Sequence, residues 1–179
     1  MQILKSILAL SLLAVLTACS STQSLQEYYI DNAENPNFLS IDLPVSLLNM
    51  DRADLTNDER EAFESLKKLN VLAFKRNADN NVEFTAEKNK VKAILKNEKF
   101  TELMKINTSY GKATLKYLGN EDAIDEVVIY GDSDDKGFML VRVLGNDMNP
   151  AHLLQFLKAI EKSDYKGEGL GEIGDFLKG

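Results

Sequence analysis

Apolar residues recur at two different spacings along this chain, and the change of spacing divides it. Ala62, Phe63, Leu66 and Leu69 share one side of a predicted helix, with Glu61, Glu64, Lys67 and Lys68 on the other. That helix opens at Thr56-Asn57-Asp58-Glu59, a capping box in which the threonine hydroxyl accepts from the Glu59 amide while the Glu59 carboxylate returns the bond. It runs into Val71-Leu72-Ala73-Phe74, a short apolar strand followed by the turn-rich stretch from Asn77 to Asn81. Ahead of it, Phe38-Leu39-Ser40-Ile41 reads as a first strand, with Pro44 in the first turn of a short helix that Asp42 could cap. Thr85 opens a third helix, with Val91, Ile94 and Leu95 inward, lysines outward and Phe100 at its close.

Past Phe100 the pattern becomes that of strands. Thr101 to Asn107, Lys112 to Leu118, Ile124 to Tyr130 and Phe138 to Leu144 are separated by Ser109-Tyr110-Gly111, Gly119-Asn120-Glu121-Asp122 and the Gly131 to Gly137 turn. Ala113, Leu115 and Tyr117 alternate with Thr114 and Lys116, as a sheet with one dry and one wet face requires. Val127 to Tyr130 is apolar on both faces, which marks a central strand. A last helix is signalled by Asn149 as N-cap, Pro150 at the first helical position and the stripe Leu153, Phe156, Leu157 and Ile160, and should lie across the sheet. The expected fold is α+β: a mainly antiparallel sheet with a C-terminal four-strand meander and helices packed on one face.

The first apolar run has another meaning. Lys5 followed by Ile7 to Leu16 is too short to cross a bilayer but suits a signal-peptide core, and Leu16-Thr17-Ala18-Cys19 closes it with the only cysteine. This is the bacterial lipobox pattern, in which cleavage falls between Ala18 and Cys19 and the cysteine becomes diacylglycerated and N-acylated. At about 0.8 kcal/mol per buried methylene, two or three acyl chains anchor firmly where one does not. The expected organisation is a lipoprotein signal peptide over 1–18, a lipid-anchored flexible tether over 19–27, one α+β domain over 28–166 and a glycine-rich flexible tail over 167–179.

Charge narrows the partners. With 21 basic and 28 acidic residues the chain carries a formal net charge of −7, and no run of Lys and Arg interleaved with aromatics offsets it, so nucleic acid is not an expected partner. The same balance disfavours peripheral binding to anionic lipid and leaves the membrane to the lipid on Cys19. With Cys19 consumed, no disulfide is available, and a domain this size does not need one.

Candidate chemistry is sparse. His152 is the single histidine, so a zinc site needing two or three histidines is not expected. Any Ser-His-Asp or Cys-His arrangement would rest on this one residue, one turn into the last helix, where a packing or partly exposed side chain is the expectation. Asp132-Ser133-Asp134-Asp135-Lys136-Gly137 resembles the opening of a calcium loop, making Asp132, Asp134 and Asp135 calcium candidates. Lys136 stands at the fifth position, however, and Val143 where a bidentate glutamate belongs, so a hairpin with a solvated acidic tip is the simpler account. Gly169 to Gly174 spells GxGxxG without the strand that must precede it. Asn107-Thr108-Ser109 has the letters of a glycosylation sequon but suits a turn as well. Glu121, Asp122, Asp125 and Glu126 cluster near one turn and read as solvated surface. No cofactor and no metal are expected.

Tyr28-Tyr29, Ile41-Asp42-Leu43-Pro44, Leu69-Asn70-Val71-Leu72 and Phe100-Thr101-Glu102-Leu103-Met104, with the final strand and helix, make the chain resemble the envelope lipoproteins grouped as domain-of-unknown-function family 4252. The resemblance covers nearly all of the chain past the leader. It implies a small Gram-negative lipoprotein without an established reaction, some members being encoded near regulatory genes for envelope signalling, and it brings no functional residues with it. The expected function is a non-catalytic, lipid-anchored envelope protein, on the outer membrane and facing the periplasm, that binds or monitors another envelope component through a protein partner. Capture of a small ligand between sheet and helices is the alternative, ahead of an enzyme using carboxylates.

Overall fold

Among the described residues, six strands form one antiparallel sheet. The structure, a computed structural model, describes residues 23–48, 55–108, 111–120 and 123–149. Strands β1 (Phe38–Pro44), β2 (Leu66–Lys75), β3 (Thr101–Thr108), β4 (Gly111–Asn120), β5 (Ala123–Ser133) and β6 (Gly137–Met148) lie side by side in the order β1-β2-β6-β5-β4-β3. The helices are α1 (Leu25–Asn32), α2 (Asn57–Glu64) and α3 (Asn81–Ile94), with a 3-10 turn over Val45–Leu48. Strands β3 to β6 are the expected meander, and β5 is interior to it. Because β6 pairs with β2 while β3 lies at the far edge, α3 carries the chain across the sheet between β2 and β3.

Alternation along the strands gives the sheet two apolar faces. Leu72, Phe74, Val128, Tyr130, Phe138 and Leu140 are buried on one, and α1 and α3 cover it with Tyr28, Phe84, Val91 and Ile94. At its centre the Phe74 and Phe138 rings stack 5.6 Å apart, and Phe38 meets Phe74 edge-on at 5.0 Å. The opposite face buries Leu69, Leu115, Tyr117, Val127 and Val143, with Val45 and Phe63 from the β1–β2 connection against them. Each such large side chain contributes roughly 1.5–3 kcal/mol on burial.

Several boundaries differ from those the spacing predicts. The helix capped by Thr56 forms with both capping bonds in place, but it ends at Glu64, and Leu66 and Leu69 belong to β2. The physical reason is pairing on both flanks: β2 lies between β1 and β6, and its ladder bonds outweigh one more helical turn. The short helix expected at Pro44 forms one residue later, as the 3-10 turn over Val45–Leu48, while Pro44 itself ends β1, and Asp42 pairs with Lys68 at 2.5 Å instead of capping. Helix α3 starts at Asn81, a turn earlier than Thr85. The Asn80 side chain accepts from the Asn77 amide and donates to Lys75 O, fixing the turn that launches it, while the Thr85 hydroxyl bonds back to Asn81 O. The stretch read as tether already contains the start of α1: Ser24 and Glu27 form a second capping box, and Leu25 is buried. Cys19, the predicted last helix with His152, and the glycine-rich tail lie outside the described residues.

Candidate functional site

Register places the site. On the face covered by α3, the meander presents three rows across β3, β4 and β5: Asn107, Lys112 and Asp132; Lys105, Thr114 and Tyr130; Glu102, Lys116 and Val128. Lysines also recur every fourth residue from α3 into the turn behind it, at Lys88, Lys92 and Lys96. Where helix and outer strands part, they leave a groove of about 360 Å³. Lys92 and Lys96 line it from the helix side, with Lys105, Lys112 and Lys116 on the strands; Leu95, Ala113 and the Tyr130 ring supply its apolar lining. Five ammonium groups therefore stand against two carboxylates, Glu102 and Asp132, in a chain whose net charge is −7.

Part of that charge is tied down. Asp132 Oδ2 accepts from Lys88 Nζ at 2.6 Å and from Lys92 Nζ at 3.1 Å, and Lys88 also reaches Asp134 Oδ1 at 2.7 Å. Burial opposes the charge on Asp132, but the two ammonium partners outweigh it and hold the carboxyl below its ordinary range. For Lys88 burial likewise opposes the charge, and the bonds to Asp132 and Asp134 outweigh it and raise the ammonium above the usual lysine value. Lys105 pairs with Glu102 at 3.1 Å. Lys96, Lys112 and Lys116 have no carboxylate within ion-pair distance among the described residues. Beneath the lysines, Tyr130 is buried and its hydroxyl has no hydrogen-bond partner among the described residues. Burial, reinforced by Asp132, pushes that phenol well above its ordinary pKa, so it remains a neutral donor.

A second groove, of about 470 Å³, opens beside α1 at the β1–β2 side of the same face. Its floor is an ion pair: Arg142 Nε and Nη2 donate to the two oxygens of Glu126 at 2.7 and 2.8 Å. The guanidinium lies 5.2 Å over the Tyr29 ring, whose hydroxyl donates to Leu140 O at 2.7 Å. Asp42 and Lys68 line this groove too, so its charges balance, and its polar groups already serve one another.

The residues singled out in sequence fall as follows. Asp132 and Asp134 turn onto Lys88, and Asp135 is exposed with its amide on Ser133 Oγ; among the described residues no three carboxylate, histidine or cysteine groups converge as metal ligands do. Of the acidic cluster, Glu121 and Asp122 lie outside the described residues and Asp125 is exposed, whereas Glu126 is held in the Arg142 pair and is not solvated surface. Ala18, Cys19 and His152 lie outside the described residues. The lysine groove was missed because its members come from three separate elements; the period-2 polar face of Lys112, Thr114 and Lys116 and the four-residue lysine repeat on α3 were its traces.

Such a molecule is an open antiparallel sheet carrying grooves between helix and strand, a class that fits binding as readily as chemistry. The profile of the family described as Domain of unknown function (DUF4252) matches residues 28–156, and the chain belongs to that family. No curated protein and no solved structure matches it.

Proposed function

We propose that this is a non-catalytic, lipid-anchored protein of the bacterial envelope, held on the outer membrane through Cys19 and facing the periplasm, that binds an anionic envelope component in the lysine-lined groove. The observation that carries the binding reading is the gathering of five lysines around one concavity in an acidic chain. Like-charged side chains repel one another, so such a cluster is unfavourable unless an anion compensates it. Outside the groove the chain carries a net negative charge, which disfavours an anionic partner there. The lipobox at Leu16 to Cys19 supports the anchoring.

Metabolic palmitate labelling with membrane fractionation tests the anchor. The parent chain is expected to be labelled and membrane-bound, and Cys19→Ala unlabelled and released, with an unchanged melting midpoint. Equal membrane recovery of both, without label, overturns it. Photo-crosslinking from position 112 in whole envelopes tests the groove: charge reversal at Lys116 should remove the crosslinked product, and an undiminished product refutes the groove as the binding surface.

A further inference from the structure

Resting on that reading of the groove, we infer that its ligand is a phosphate monoester, carried by a lipid headgroup or by a small soluble molecule. The charge count comes first. With Lys92 paired to Asp132 and Lys105 to Glu102, the charges of Lys96, Lys112 and Lys116 remain, and one carboxylate would leave most of that charge uncompensated. A phosphate monoester brings between one and two negative charges at neutral pH and three acceptor oxygens, which compact, freely rotating ammonium groups can approach from several sides.

Tyr130 is the second and independent observation. A buried hydroxyl without a partner is unfavourable, and such orphans in a native fold call for an explanation. The hydroxyl is closed off from solvent in the free protein, so a phosphate oxygen supplies the missing acceptor only when the groove floor opens around Tyr130. Thr114, the neighbour of Tyr130 in the same row, places a second neutral hydroxyl beside it. Leu95, Ala113 and the aliphatic lysine stems suit the carbon skeleton that carries the phosphate, and about 360 Å³ holds a single headgroup rather than a polymer.

The experiment uses the full chain in neutral detergent micelles, titrated calorimetrically with glycerol 3-phosphate and, in a second arm, with micelles containing phosphatidic acid. Binding in the first arm identifies a soluble source and binding confined to the second a lipid headgroup; either supports the phosphate. Lys112→Ala combined with Lys116→Ala should weaken it by about tenfold or more. Tyr130→Phe should weaken it by several-fold without lowering the melting midpoint, because among the described residues the hydroxyl has no partner to lose in the free protein. Asp132→Asn should strengthen it, since a competing anion has been removed from Lys92. Absence of heat in both arms, or indifference to Lys112 and Lys116, overturns the phosphate assignment. A polyglutamate peptide separates the two failures. If it binds through Lys112 and Lys116 while phosphate does not, the groove remains an anion site for another ligand; if no probe binds, the reading of the groove falls as well.

Discussion

The Tyr28 hydroxyl donates to Glu87 Oε2 at 2.9 Å, a buried bond that ties α1 to α3 across residues far apart in the chain. Lys90 holds the other carboxylate oxygen at 2.6 Å, so the glutamate is satisfied from two sides on one buried edge of the helix. Burial, then the adjacent Glu87 charge, pushes the Tyr28 phenol far above its ordinary pKa and keeps it a donor at every physiological pH. Through this contact the first helix is part of the body that frames both grooves.

Tyr28→Phe should therefore lower stability by about 1–3 kcal/mol, because it removes the donor and leaves Glu87 buried. Chemical denaturation measures the change. Adding Glu87→Leu to Tyr28→Phe should recover part of the loss, since neither polar partner then remains. Purely additive losses in the double-mutant cycle would show that the two groups do not interact.

The Asp132–Lys88 pair predicts a pH dependence with a definite sign. The folded-state pKa of Asp132 is depressed, so its contribution is complete above the ordinary carboxylate value near 3.8 and disappears as pH falls through the lower folded value. Melting midpoints recorded from pH 6 to pH 2 should fall more steeply for the parent chain than for Asp132→Asn. The variant itself should be less stable near neutrality by roughly 1 kcal/mol. Parallel curves would exclude the pair as a source of acid sensitivity.

Two neighbouring acidic residues should respond to neutralisation with very different costs. Glu126→Gln withdraws the counter-charge from Arg142, whose side chain is 10% exposed, and is expected to cost about 3 kcal/mol; Asp125→Asn, on the exposed side, should change stability by less than about 0.5 kcal/mol. Urea unfolding of the two single variants decides it, and similar costs would contradict the placement of Glu126.

Gly137 opens β6 with φ at +128°, and a Cβ there would fall 1.9 Å from Phe74 O. Gly137→Ala should destabilise by about 1–3 kcal/mol or prevent folding, through backbone strain and collision with β2. Gly131, where a Cβ would meet nothing closer than 3.9 Å, is the control: its alanine variant should fold normally by circular dichroism.

The meander was legible because alternation, turn residues and strand length agreed, as at Ala113 to Tyr117 between two glycine-bearing turns. The Thr56 capping box was legible for a similar reason: two side chains and two amides in one turn define it locally. Leu66 and Leu69 fit both a helical stripe and a strand, and only the flanking strands β1 and β6 decide between them. Helix α1 was missed although Ser24 and Glu27 carry the same signature as Thr56 and Glu59, because the polar residues before it favoured a linker. The groove could not be read in advance. Its existence depends on which strand lies beside which, and on the rotation of α3 that brings Lys92 towards Asp132.

The position of β6 also dictates when the sheet can be completed. As the last strand described, it fills the gap between β2 and β5, so Val71 waits for Val141 and Leu72 for Leu140. Contacts of such sequence separation slow folding, because the intervening chain must be closed before they repay its lost entropy. Before the segment from Gly137 onward has docked, the folding chain holds two half-sheets, each with a bare edge at β2 or β5. Those two edges are where mispairing and aggregation threaten first, and the docking of one twelve-residue strand removes both hazards together.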